Sequence, residues 1–357
     1  MGQRKEIVRY FVSQGLKIIS AVDIAGIKKS TYYYHSNGKP RGKGPSKHTR
    51  KATGCVVTNE AVLTDIFNLI SPEYHDYGYQ TVTHLLRRMG YIINPKKVYR
   101  LMKVNNLLHP KITKGNKQDK NYIKYTVPPL ERPFVTIEAD IKYVYIHGEK
   151  RNAYLITFLC TFCRFAVVWK LDYRMRAKEI VKLLNDLMSH PVVKENVAKE
   201  NIKVKVRTDN GPQFIAKILA ETLKQLGIIH EFINPGTPQE NGHIESFHST
   251  VSRLVCNKNI FGNLEHARNI FREFYSTYNN TRSMKSLLYY SPIKFIELWN
   301  TGCVAIKKDK KKREIFYFRE MPQINIVEDI SSEDLFVLNK SNTFDHSIIN
   351  LQEISPI

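Results

Sequence analysis

No run of about 18 apolar residues occurs anywhere in the 357-residue chain, and its beginning, MGQRKEIVRYF, lacks the apolar stretch of a secretory leader. A membrane protein is thereby disfavoured, and a cytoplasmic one is expected. Cysteine is scarce: the five thiols, Cys55, Cys160, Cys163, Cys256 and Cys303, are odd in number and scattered, which is no disulfide framework. Cys160 and Cys163 have the spacing of half a zinc knuckle, but no matching second pair follows, so packing in a hairpin is expected rather than metal binding. Acids are also short, at 33 Asp and Glu against 55 Lys and Arg, and the resulting charge of +22 favours a polyanionic partner such as DNA, RNA or an anionic membrane. With 42% apolar residues the chain can still bury at least one sizeable core in two or three domains.

Three acids stand where rigid backbone would hold them. Asp140 lies inside the strand-like run FVTIEADIKYVYI, and Asp209 follows a strand pattern in which Ile202, Val204 and Val206 alternate with Lys203, Lys205 and Arg207. Glu245 sits 35 residues beyond Asp209, early in a helix entered through the turn residues Asn234-Pro235-Gly236. Glu138 shares a face with Asp140, and strand alternation does not choose between them. Three converging carboxylates repel one another unless divalent cations neutralise them, and Mg²⁺ is the cation that hard oxygen ligands suit. Two such ions about 3.5–4 Å apart clamp the attacking and leaving oxygens of an in-line phosphoryl displacement, which makes nucleic acid the expected substrate.

At these residues the chain resembles the DDE integrase core shared by retroviral integrases and bacterial insertion-sequence transposases. Asp140 in its strand, Asp209 in TDNGPQF and Glu245 in PQENGHIESF carry the likeness, which is nearer to the third insertion-sequence family. The resemblance implies an α/β fold, a ribonuclease H-like mixed five-stranded sheet with flanking helices, preceded by two helix-turn-helix modules. It also implies two Mg²⁺ ions, or Mn²⁺, on Asp140, Asp209 and Glu245. The partners implied are the terminal inverted repeats and target DNA, with a homo-oligomer joining two ends near the nucleoid. Two positions depart from the family pattern: Lys142 stands where Thr is usual, and Ser252 stands where a Lys or Arg lies seven residues past the glutamate. Arg253 is one step round the helix, about 80–100° off that face, and is a candidate to reach a phosphate. Asn241 is a further DNA-binding candidate in the same stretch, while His248 reads as surface decoration. The paired His and Cys ligands of the retroviral integrase N-terminal zinc domain are missing.

Along the chain, residues 1–37 read as a helix-turn-helix, with helices over 3–14 and 20–24 and a third capped by Ser30, offering Lys28, Lys29, Ser30, Thr31 and Tyr32 to a groove. Residues 38–56 read as a basic linker whose Lys39, Arg41 and Lys43 track phosphates. A second helical module covers 57–110 and resembles the second helix-turn-helix of the same transposases, with Lys96, Lys97 and Arg100 on its outer face. A lysine-rich linker follows over 111–132, then the catalytic core over 133–258, a helical segment over 259–300 and a basic, strand-like tail over 301–357. The core should open with three short-looped strands, then a helix over 178–188, the strand ending at Asp209, a helix over 216–226, a strand over 228–232 and the Glu245 helix. The function implied is a transposase that cleaves and joins DNA strands. Its rivals are a nuclease of the same architecture without strand transfer and a decayed or domesticated transposase that occupies DNA without cutting it.

Overall fold

In the computed structural model, residues 2–34, 44–110, 130–234, 237–310, 313–320 and 322 are described. The chain divides into two compact units, Met1–Lys47 and His48–Ile357. The first unit holds α1 (Gly2–Ser13), α2 (Ile18–Ile24) and α3 (Lys29–Tyr33) around Val8, Ala21, Val22, Ala25 and Ile27. The turn before α3 uses Gly26 at φ +61°, a left-handed conformation that favours glycine. The cap of α3 is Lys28, not Ser30: Lys28 is the extended residue before the helix and makes no side-chain cap bond, so Ser30 falls in the first turn. Lys39, Arg41 and Lys43 lie outside the described residues, as does the 111–129 linker.

The second unit opens with β1 (His48–Lys51) and β2 (Val56–Thr58), an antiparallel pair turned at Gly54. The basic stretch is therefore not linker up to residue 56. Then come α4 (Asn59–Ile70), α5 (Tyr79–Arg88), β3 (Tyr91–Ile92) and α6 (Pro95–Val104), and β3 pairs with β1. Thr58 caps α4 by accepting from Ala61 N–H, and Asn94 caps α6 by accepting from Lys96 N–H. Val62, Ile66, Val82, Leu86, Val98 and Met102 are sealed in this module's own core.

The catalytic region begins with β4 (Thr136–Ile146), β5 (Arg151–Cys160) and β6 (Ala166–Asp172), an antiparallel meander. After it come α7 (Ala177–Ser189), α8 (Pro191–Glu200), β7 (Lys205–Thr208), α9 (Lys217–Gln225), β8 (Ile229–Phe232) and α10 (Gly242–Val251). The sheet order is β6-β5-β4-β7-β8, with β7 parallel to both neighbours, which is the ribonuclease H-like arrangement. The helix α8 was not expected. Its sequence buries only Val193 and Asn196, so it carries a faint helical stripe. Alternation along β4 sends Ile137 and Ala139 into a core with α7 and α9, whereas Val144 and Ile146 face a second core with Phe247 and Val251 of α10.

A π-turn over Ser252–Cys256 extends α10, and α11 (Leu264–Asn280) and α12 (Pro292–Asn300) follow. The tail opens with β9 (Val304–Lys308) and β10 (Glu314–Phe318), an antiparallel hairpin, β10 falling on the strand-like piece at 315–318. Phe316 of that hairpin packs on Phe162 and Phe295, with ring centroids 4.9 and 4.7 Å apart. The strand-like pieces expected at 324–327 and 335–338 lie outside the described residues. Cys160 and Cys163 are both buried at the β5–β6 turn, where the Cys160 sulfur accepts from Phe134 N–H at 3.2 Å. Among the described residues, no helix is long and apolar enough to cross a membrane.

Candidate active site

Strand register brings two of the three acids together. In the parallel pairing of β4 and β7, Thr136 is opposite Lys205 and Glu138 opposite Arg207, an offset of 69 residues. The same offset carried two residues onward sets Asp140 beside Asp209, and both are half-buried. Each carboxylate is steadied by local backbone: Asp140 Oδ1 accepts from Ile141 N–H at 2.8 Å, and Asp209 Oδ1 accepts from Gly211 N–H at 3.0 Å. Asp140 Oδ2 faces His248 Nδ1 at 3.4 Å. That pair fixes α10 over β4, and Glu245, three residues before His248, is exposed near the start of the helix.

The carboxylates of Asp140, Asp209 and Glu245 are hard oxygen donors, the kind of ligand that Mg²⁺ takes. Among the described residues, no group of three His, Cys, Asp or Glu side chains is drawn together closely enough to hold a metal as the side chains stand.

Glu138, the other acid of that strand face, is 2% exposed and accepts from the backbone N–H of Ile244 at 2.7 Å. Burial pushes its carboxyl up to about 7, against the opposing pull of that backbone hydrogen bond and the charges of Arg207 and Arg164. Docking of α10 thus separates two residues that alternation leaves equivalent: Glu138 is covered by the helix, while Asp140 stays half-open. Arg207, across from Glu138, donates from Nη1 to Glu240 O at 3.0 Å and from Nη2 to Glu231 at 2.9 Å. Burial, then Arg164 and Arg207, hold the His243 imidazole down at about 3.

His248 is not surface decoration. It is 9% exposed, and its Nε2 has no hydrogen-bond partner among the described residues. Asn241 is 3% exposed, which withdraws its amide from a DNA partner. Arg253 is ion-paired with Asp76, on the segment between α4 and α5. Asp76 also takes Arg282 Nη2 at 2.6 Å, and Arg282 donates to Tyr74 O as well. Around this knot Tyr74 meets Phe274 edge-on at 5.4 Å, His84 stacks on Tyr289 at 3.8 Å, and Arg88 covers the Tyr290 ring at 4.3 Å. The segment after α11 therefore serves as a seat for the second helical module. Asn279 packs too, bonding Ala166 N–H and C=O at 2.9 Å each.

Of the other DNA-facing candidates, Lys28, Lys29 and Ser30 are exposed, and Thr31 and Tyr32 are half-buried with Tyr32 against the small core of the first unit. Lys96 is exposed, Arg100 is half-buried, and Lys97 Nζ donates to His48 O at 2.7 Å. Lys142 lies on the Asp140 face of β4, where its charge lowers the Cys256 thiol against a larger upward push from burial.

Comparison with known proteins agrees with this architecture. Two models of the integrase core domain match residues 131–238 and 226–292, and a model of an HTH-like domain matches 59–114. The chain is 27% identical to the transposase for insertion sequence element IS904 of Lactococcus lactis, over 63% of this chain and 88% of that protein. It is 26% identical to a 39.2 kDa protein of insertion element IS476 from Xanthomonas euvesicatoria, over 65% of this chain. The chain spans only 64% of that second protein's length. Among solved structures, a chain of the simian T-cell lymphotropic virus intasome complex aligns at 16% identity and a TM-score of 0.39, over 62% of this chain and 70% of that one. The chain thus matches an HTH-like domain model followed by integrase core models, and over nearly two-thirds of its residues it is similar to proteins of bacterial insertion elements.

Proposed function

We propose that this chain is a DDE transposase of the third insertion-sequence family, cutting and joining DNA at the inverted repeats of its own element. One observation carries the reading: β4 and β7 pair in parallel up to Glu138 and Arg207, two residues short of Asp140 and Asp209 on each side, and α10, with Glu245 in its first turns, packs on β4. The two domain matches, integrase core and HTH-like, supply the context. Asp140, Asp209 and Glu245 are the residues to hold Mg²⁺ or Mn²⁺. Bound there, two divalent ions would offset phosphate charge and promote attack by water or a 3′-hydroxyl.

The chain's own part is positional. Ile141 N–H and His248 orient Asp140, and Gly211 N–H orients Asp209. In the first displacement, water attacks phosphorus at the element's end and the bond to the 3′-oxygen breaks, leaving a 3′-hydroxyl and a 5′-phosphate. In the second, that hydroxyl attacks a target phosphorus and displaces its 3′-oxygen, so no covalent protein intermediate forms. Residues 2–34 and the module beginning at His48 would read the repeats, Lys96 supplying a salt-sensitive phosphate contact. Joining two ends calls for a homo-oligomer, and the cytoplasm, at the nucleoid, is where the substrate lies.

The test is a cleavage and strand-transfer assay on labelled duplexes carrying the flanking repeats, with Mg²⁺ or Mn²⁺. Wild type should nick and join, while Glu245→Gln and Asp140→Asn bind the same duplexes and do neither. Nicking without joining would point to a nuclease. Binding without nicking by wild type, in a buffer where an active relative cuts, would reduce the chain to a DNA-binding remnant.

A further inference from the structure

Two residues outside the three-acid set sit one strand step before it. Glu138 precedes Asp140 by two residues and Arg207 precedes Asp209 by two, so each shares a sheet face with its acid, and the pair is opposite in register. Both reach the entry to α10. The Glu138 carboxylate takes the N–H of Ile244, and the Arg207 guanidinium takes the C=O of Glu240 while gripping Glu231 of β8. A buried carboxylate is costly in a sheet core unless its hydrogen bonds are met, and here it meets donors that a helix start leaves without an internal partner. Arg164, pinned to Thr161 O on the β5–β6 turn, adds a second cation facing Glu138.

We propose that Glu138 and Arg207 are positioning residues that buckle both ends of the 240–244 turn onto the acid-bearing strands, and so set where Glu245 stands relative to Asp140 and Asp209. The inference rests on the metal-site reading above and extends it. Glu245 is the residue next to Ile244, so any lift of that N–H from Glu138 moves the third acid with it. Mg²⁺ takes oxygen ligands at about 2.0–2.1 Å in near-ideal octahedral geometry, so a shift on the order of half an ångström is enough to spoil the site. His248, one turn past Ile244 on the same face of α10, meets Asp140 and leaves the 240–244 entry to the buckle.

The experiment compares full-length wild type with Glu138→Ala and Glu138→Gln by amide hydrogen exchange, Mn²⁺ titration calorimetry and strand cleavage. Glu138→Ala should speed exchange over residues 242–251 on the order of ten-fold, weaken Mn²⁺ binding and cut cleavage about ten-fold or more. Glu138→Gln keeps an oxygen that accepts from Ile244 N–H, and should stay within about three-fold of wild type in all three readouts. Wild-type exchange and Mn²⁺ affinity in Glu138→Ala would overturn the proposal. So would a Glu138→Gln variant as impaired as the alanine, since the charge and not the held turn would then matter.

Should Glu138→Ala unfold the whole chain, Arg207→Lys takes its place, keeping the charge but losing the reach to both Glu240 and Glu231. Faster exchange confined to 238–251 supports the buckle, and unchanged exchange there refutes it. Asp140→Asn and Glu245→Gln run alongside. If they cleave like wild type, the transposase reading fails, and the exchange data still decide whether Glu138 holds α10.

Discussion

Replacing Asp76 with alanine should loosen the second helical module from the catalytic region. Asp76 and Arg282 have side chains only 15% and 12% exposed, and they pair at 2.6 Å. Removing the acid leaves a guanidinium buried without a counter-charge, which costs about 3–5 kcal/mol. The second pair is different in kind. Arg253 is 50% exposed, so Arg253→Ala should cost about 1 kcal/mol or less. Adding Arg282→Met to Asp76→Ala removes the stranded charge and should recover part of the loss. Urea unfolding followed by two probes gives the assay. Trp169 lies in β6, and Trp299 of α12 packs on Phe162 at the β5–β6 turn with ring centroids 4.8 Å apart, so the fluorescence of these two tryptophans follows the sheet, while far-UV circular dichroism also follows α4, α5 and α6. In wild type the two transitions should coincide, and in Asp76→Ala the circular dichroism should begin to fall at lower urea. Coincident transitions and a loss below about 0.5 kcal/mol in Asp76→Ala would refute the idea that this ion pair joins the two parts.

Three further outcomes are expected. Burial, then the charge of Arg282, holds His75 down at about 4 in the fold, while it stacks on Tyr77 at 4.7 Å and meets Thr281 Oγ1 at 3.4 Å. With an unfolded value near 6.5, that neutral imidazole contributes its stability fully above about pH 6.5, and up to about 3 kcal/mol is lost as pH falls to about 4. Urea midpoints across that window should show a shallower slope in His75→Gln. Gly148→Ala should destabilise by about 1–3 kcal/mol in thermal melts, because an added Cβ would stand 1.9 Å from Gly262 O. Tyr275→Phe, which removes the hydroxyl bonded to buried Thr157, should cost about 1–3 kcal/mol by urea unfolding, with the Trp169 stack on the ring retained.

What could be read from the chain follows the range of the interactions involved. The Asp209 strand and the Glu245 helix show through because each buries one face, so alternation or helical spacing marks them locally, while the meander, whose strands feed both cores, shows through as runs of Val, Ile, Phe and Tyr broken by turns. The hairpin at His48–Thr58 was hidden by its composition: lysine, glycine and threonine read as linker, although β1 pairs with β2 and with the distant β3. The seat of the second module was hidden by distance, since the hydrogen bond from Arg282 to Asp76 spans 206 residues. Glu138 and Asp140 looked alike because strand periodicity specifies a face and not the helix that covers it. His248 is hidden for a related reason: a polar residue in a helix reads as solvent-facing until the helix is laid on β4.

The register of β4 against β7 has a consequence for how such chains tolerate insertion and deletion. The 68 residues between Asp140 and Asp209 include a hairpin and two helices on the sheet's flanks, and lengthening a connection there leaves the 136–205 pairing untouched. A single residue gained or lost between Thr136 and Asp140, or between Lys205 and Asp209, would instead turn one acid to the opposite face of the sheet. Distant relatives are therefore better recognised by the count from strand start to acid than by the gap between the acids.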